Sequence, residues 1–313
     1  MKYKPIMKIL SFSNASAIVK VSLKKWWSRD PFNDSTIIAY NSIFSLPGLL
    51  VVVITIAGYF FDGDAVSGRL HSQVSKAMGT ETADQVQSMV LIANKSKDSV
   101  LATIMGIAII LVGATGVFVQ LQKSLNAIWE AKASTTTSGV WSFLKTRIFS
   151  FGLIITIAFL LLISLVLSSL LSALGSWVTQ NWSESLLILF QILNAIFSLA
   201  VITLLFAMMF KFLPDTKIKW RSVWVGAFVT SLLFVLGKSA LGLYFGTADP
   251  ASGYGAAGSI ILILLWTSYS SMIVLLGAEF TKVYSDNLYG EIPVSANTIK
   301  KTSPTKKASV KAY

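Results

Sequence analysis

The sequence contains no cysteine and a single histidine, His71, and only 13% of its 313 residues are charged. Without cysteine there are no disulfides, no thiolate metal sites and no cysteine nucleophile. One histidine cannot build the imidazole clusters of zinc hydrolases or of most acid–base enzymes. Acid is scarcer than base, with 14 Asp and Glu against 26 Lys and Arg and a formal net charge of +12. A soluble domain carries roughly a quarter charged residues, so this chain lacks the charge to cover a water-facing surface. It has instead 54% hydrophobic residues and a mean hydropathy of +0.69, which makes lipid the natural solvent. The basic balance points to anionic lipid headgroups before nucleic acid. No motif calls for a cofactor or a metal.

A helix needs about 20 mostly apolar residues to cross a hydrocarbon core of roughly 30 Å. Six runs qualify, over 36–61, 100–119, 148–171, 186–212, 223–245 and 260–278. The expected fold is an all-α polytopic membrane protein. Residues 1–35 form an N-terminal segment with an amphipathic helix, 36–285 a six-helix transmembrane domain, and 286–313 a basic, disordered tail. The first apolar run starts too late and runs too long for a cleavable signal peptide.

Basic residues resist translocation and so report orientation. Twenty-one Lys and Arg fall in the N-terminal segment, the second and fourth connections and the tail, against four in the first connection and none in the third or fifth. Both termini are therefore expected in the cytoplasm. Indoles prefer the headgroup boundary, and eight of the nine tryptophans lie near span ends or in flanking segments, Trp266 excepted.

Over 15–27, Ile18, Val19, Leu23, Trp26 and Trp27 recur at helical spacing, while Lys20, Lys24 and Lys25 take other faces. Both an interfacial helix and a short helix packed on the bundle use such a stripe. The polar first connection, 62–99, places Val86, Met89, Val90 and Ala93 on one helical face and predicts a small extracytoplasmic cap. The fifth, 247–259, with Gly253, Gly255 and Gly258, reads as an outer loop. Lys300, Lys301, Lys306, Lys307 and Lys311 in the tail fit contact with anionic lipid.

Polar residues inside apolar runs mark the candidate sites. Tyr40, Asn41, Ser42 and Ser45 precede Pro47, which removes a backbone donor and disfavours a straight helix. They line a hinge or substrate path, or the serines and tyrosine merely satisfy carbonyls the proline frees. Lys238 lies inside the fifth span, where insertion scales put a lysine at roughly 2.5–3.5 kcal/mol. It snorkels outward, or it faces a water-filled cavity or an anionic ligand. Glu279, at the cytoplasmic end of the sixth span, looks too far away to pair with it. Gln191 and Asn194, spaced i, i+3, suit interhelical hydrogen bonds.

These segments resemble the YihY/BrkB family of bacterial inner-membrane proteins, once labelled ribonuclease BN. The likeness covers nearly all of 15–285. It is carried by Asp34, Ala39-Tyr40, Ser45-Leu46-Pro47, the LNAIW of 125–129, Leu213-Pro214, Gly226-Ala227, Gly237-Lys238, Tyr254-Gly255, Leu265-Trp266, Tyr269 and the LLGAE of 275–279. Similar proteins often carry a glutamate three residues before the lysine, where this chain has Val235. The resemblance implies a six-helix protein of the bacterial cytoplasmic (inner) membrane, linked to serum resistance and envelope biology as in virulence factor BrkB, with transport suspected.

The functional expectation is a non-enzymatic transporter or lipid-handling protein, its substrate unidentified and compatible with an anion. The path residues named are Lys238, Tyr40, Asn41, Pro47, Tyr269 and Glu279. The alternative is a structural or regulatory envelope protein without transport. A ribonuclease ranks last, because metal-activated water needs clustered His and Asp ligands. Expected partners are membrane lipids, anionic headgroups at the cytoplasmic face and a transported solute or lipid, with no nucleic acid; an oligomer is compatible with the sequence.

Overall fold

The computed structural model describes residues 12–44, 67–68, 71–72, 74–75, 80–95, 116–132, 185–248, 250, 252–290 and 299–300. Helix dominates them. α1 spans Phe12–Ser28, α2 is described over 31–44, α3 spans Thr80–Lys95 and α4 is described over 116–128. Three long helices follow: α5 (Ser185–Phe212), α6 (Trp220–Ala248) and α7 (Gly258–Tyr289), with a 3-10 segment, Ser252–Ala257, between the last two. The strands among the described residues are β1 (Ala131–Lys132) and β2 (Ile299–Lys300), which pair antiparallel.

α5, α6 and α7 are each long and apolar enough to cross a membrane. They contain the expected spans 186–212, 223–245 and 260–278 and run past the last two at both ends. Hydropathy marks only the apolar part of a helix, whereas the backbone ladder continues until a cap stops it. For α7 that stop is Gly290, at φ 73°, whose N–H returns to the carbonyl of Asp286 at 2.9 Å. Glycine adopts this left-handed C-cap without a Cβ penalty. The expected spans 36–61 and 100–119 are helical where described, over 36–44 and 116–119. The span 148–171 lies outside the described residues.

α6 and α7 are antiparallel and interlock through two reciprocal pairs. A Cβ on Gly226 would overlap Thr281, and one on Gly277 would overlap Thr230. Each threonine is already satisfied within its own helix, Thr230 donating to the carbonyl of Gly226 and Thr281 to that of Gly277, both at 2.7 Å. Lipid supplies no hydrophobic drive between spans, so backbone proximity through small residues does this work. α5 joins α6 by a hydrogen bond between Thr203 and Ser231 at 2.7 Å. Gln191 is exposed and Asn194 Oδ1 is buried without a hydrogen-bond partner among the described residues, so the bond between these helices comes from hydroxyls two turns further on.

The packed core sits at one end of the helices. Phe206 and Phe210 of α5, Val223 and Ala227 of α6, Val274, Leu275 and Ala278 of α7, Ile38 of α2, and Leu121, Leu125 and Ile128 of α4 form one cluster. α4 is clamped onto the turn between α5 and α6. Asn126 Nδ2 donates to Asp215 Oδ2 at 2.7 Å, and the amide of Asp215 donates back to Asn126 Oδ1 at 2.8 Å.

α1 shows two faces. Ser22 is buried and Trp26 packs against the core, while Val19, Leu23 and Trp27 form an exposed apolar stripe at i, i+4, i+8. One face therefore meets the bundle and the other is left apolar and exposed. At the opposite end of α7, α3 contributes buried Ala83 and Val86, and Ser259 bonds to Gln85 of α3. Met89, Val90 and Ala93 fall within α3, and their side chains are outside the described residues.

Candidate functional site

The residues between α1 and α2 form a tight corner. α1 stops at Ser28, Asp30 takes φ 54°, and α2 starts at Pro31. Aspartate tolerates the left-handed region better than most residues, and Asp30 Oδ1 accepts from the amide of Asn33 at 3.5 Å, as an N-cap does. Proline at the first helical position has a ready-made φ and no N–H to waste. The corner turns Arg29 toward the end of α4. There Arg29 Nη1 donates to the carbonyl of Ala127 at 2.8 Å and Nη2 to that of Ile128 at 3.5 Å. The Ala127 carbonyl also accepts from the Glu130 amide at 3.1 Å, and a cation at this helix C-terminus complements the helix dipole.

Four charged side chains converge on this point. Arg29 Nη2 lies 3.4 Å from Glu130 Oε1, and Lys282 Nζ lies 2.7 Å from the same oxygen. Arg29 Nε lies 3.2 Å from Glu279 Oε2. Glu130, like Asp30, has φ 54°, a conformation a non-glycine residue holds only where its surroundings fix it. Glu279 is fully buried, and neither of its oxygens has an aligned hydrogen bond among the described residues. The pair with Arg29 is thus close in space but short of hydrogen bonding, which leaves Glu279 with acceptor capacity to spare.

Beside this cluster is a cavity of about 340 Å³, within the roughly 300–1,000 Å³ of small-molecule sites. Arg29, Asp34 and Glu279 are its charged lining, and Trp26, Ile128 and Leu275 are apolar walls. Burial pushes the Asp34 carboxyl above its ordinary range, and Asp30 adds to this, against the Ser124 hydroxyl and Arg29. For Glu130 burial also acts upward, but the hydrogen bond and charge of Lys282, with Arg29 and Lys25, outweigh it and hold the carboxyl below its usual range.

The residues named from sequence fall at two levels. Glu279 belongs to this cavity. Tyr269 packs near Gly237, so Lys238 stands about 15 Å away from Glu279 along α7 at 1.5 Å per residue. Lys238 is exposed and no carboxylate pairs with it among the described residues. Tyr40 is 61% exposed and meets Phe44 edge-on. Asn41 donates to the carbonyl of Ile37 at 2.8 Å and packs against Gly116. Pro47 lies outside the described residues. The structure therefore brings together Arg29, Asp34, Glu130, Glu279 and Lys282, of which only Glu279 stood among the path residues. Arg29 counts in the sequence as one more topological charge, and Glu130 directly follows the LNAIW stretch. Acids placed just beyond apolar runs were the available signal.

The chain matches the family model described as "Virulence factor BrkB" over residues 22–300. It is 29% identical over 254 residues to a "UPF0761 membrane protein" of Pseudoalteromonas atlantica, covering 79% of this chain and 78% of the relative. A protein of the same description from Cronobacter sakazakii is 29% identical over 257 residues, covering 80% and 82%. A "UPF0761 membrane protein YihY" of Escherichia fergusonii is 30% identical over 208 residues, covering 64% of each chain. No solved structure matches the chain. With a family model spanning most of its length, three membrane-length apolar helices and membrane proteins as its relatives, this chain is a membrane protein that belongs to the BrkB family.

Proposed function

We propose that the protein is a non-enzymatic carrier of the bacterial cytoplasmic membrane, moving a small polar solute or a lipid headgroup between its helices. In this reading six helices span the membrane, both termini are cytoplasmic, and the cavity beside Glu279 is the binding station at the cytoplasmic end. The observation that carries it is a fully buried carboxylate, Glu279, on the wall of a cavity, close to Arg29 but with neither oxygen accepting an aligned hydrogen bond among the described residues. A buried carboxylate is costly unless it is both paired and hydrogen-bonded, and a bound ligand would supply the hydrogen bonds that Arg29 does not. Lys238 and Tyr269, further along α6 and α7, would belong to the outer part of the path.

The absence of native cysteine makes the test direct. Single cysteines at positions 124 and 238 are treated with a membrane-impermeant thiol reagent from either side. A carrier predicts reaction at 124 from the cytoplasmic side and at 238 from the outer side. A protein whose positions 124 and 238 both stay unreacted is not this carrier.

The second reading is a structural or regulatory envelope protein. It is favoured by the reciprocal seating of Thr281 on Gly226 and Thr230 on Gly277, which leaves α6 and α7 no room to slide. A carrier must then move other helices against this fixed pair.

A further inference from the structure

The cavity has a definite electrostatic demand. Arg29, the one cation among its described lining residues, is already engaged: its guanidinium reaches the carbonyls of Ala127 and Ile128, Glu130 and Glu279. Glu130 is in turn held by Lys282. Among the described lining residues two carboxylates, Asp34 and Glu279, therefore face the space beside one cation, Arg29, with Lys282 and Lys25 acting on Glu279 from outside it. Glu279 offers two buried oxygens with no aligned donor among the described residues. Trp26 lines the same space, and an aromatic ring beside carboxylates favours an organic cation. Ile128 and Leu275 suit a short aliphatic stem.

We infer that this cavity takes a protonated primary amine, its N–H groups donating to Glu279 and Asp34 and its carbon stem lying along Trp26 and Leu275. The inference rests on reading the cavity as the binding station of a carrier. An anion is disfavoured, since it would meet two carboxylates with Arg29 already occupied. A quaternary ammonium would satisfy the aromatic wall but offers no N–H to the Glu279 oxygens. An ethanolamine group has the required chemistry whether it is free in solution or the head of a phospholipid.

The test uses the full chain in nanodiscs and reads the thermal midpoint. In phosphatidylglycerol discs, ethanolamine is added and compared with tetramethylammonium and with sodium chloride at equal ionic strength; a separate sample is placed in phosphatidylethanolamine discs. A rise with ethanolamine alone identifies a free amine, and a rise confined to phosphatidylethanolamine discs identifies a headgroup. Either supports the inference, provided that Glu279→Gln weakens the response on the order of ten- to a hundredfold, as loss of hydrogen bonds to a charged group requires. Should Glu279→Gln fail to fold, Asp34→Asn takes its place, with weakening expected in the same direction. Equal responses to tetramethylammonium or sodium overturn the inference. With no response at all, cysteine 124 decides what falls: if it is labelled, the amine is wrong and the carrier reading stands, and if it is unlabelled, both fail.

Discussion

Arg29 Nε stands 3.2 Å from Glu279 Oε2, joining the corner between α1 and α2 to a fully buried carboxylate of α7. Arg29 itself is about one-third exposed, at 31% for its side chain. The two partners are therefore unequal, and so are the consequences of removing each. Arg29→Ala leaves Glu279 buried without its nearest charge and removes a donor from the carbonyls of Ala127 and Ile128. Breaking a buried pair from one side costs about 3–5 kcal/mol. Glu279→Gln removes the charge that needs compensation and is expected to cost less. Thermal midpoints of the two variants in detergent should fall in that order.

Gly226 and Gly277 admit no Cβ, because Thr281 and Thr230 occupy the space. Gly226→Ala and Gly277→Ala should each destabilise by about 1–3 kcal/mol, the range for overpacking a close contact. Combining Gly226→Ala with Thr281→Gly should recover part of the loss. Size-exclusion profiles after stepwise heating would show it. Equal stability of Gly226→Ala and the parent chain would mean that the helices are not this close.

Asn126 and Asp215 exchange two hydrogen bonds between α4 and the turn after α5. Asn126→Ala leaves the amide of Asp215 and one carboxylate oxygen without these partners, an expected loss of about 1–3 kcal/mol. A double-mutant cycle with Asp215→Ala should return a coupling of at least 0.5 kcal/mol, as residues in direct contact do.

Two carboxylates outside the spans give opposite pH signatures. Glu130 has a folded pKa below its unfolded value, so its contribution is present above the unfolded pKa and is lost as pH falls through the folded one. Asp34 has a folded pKa above its unfolded value, so the folded state is favoured below the unfolded pKa and loses that advantage as pH rises through the folded one. Glu130→Gln should therefore flatten the acid side of the stability profile. Asp34→Asn should raise stability near neutral pH, and a drop there would contradict burial as the main influence on Asp34.

Hydropathy made three of the expected spans legible, because a lipid solvent selects long uncharged runs: α5 coincides with its expected span, and α6 and α7 contain theirs. Their ends were less legible, since Gly290 closes α7 well past the end of the expected span at 278, through a backbone bond to Asp286. Glu279 could be singled out as an acid at the end of a span. Its partner could not, because Arg29 lies 250 positions earlier and carries the same sequence signal as every basic residue that marks orientation. Glu130 is likewise 101 positions from Arg29 and 152 from Lys282. Side-chain geometry alone reveals that Glu279 lacks an aligned donor among the described residues. Asn41 stands out in the sequence as a polar residue within an apolar run; its side chain bonds the carbonyl of Ile37, one turn back in its own helix.

The most direct measurement is the rate at which a small impermeant thiol reagent modifies a single cysteine at position 124 in inverted membrane vesicles. Ser124 borders the cavity, whereas Val274 lies in the packed core nearby and serves as the buried comparison. The predicted result is modification of cysteine 124 at a rate approaching that of a cysteine at exposed position 217, with cysteine 274 inert. If cysteines 124 and 274 are equally inert while 217 reacts, the space beside Glu279 is closed to water and is no binding station.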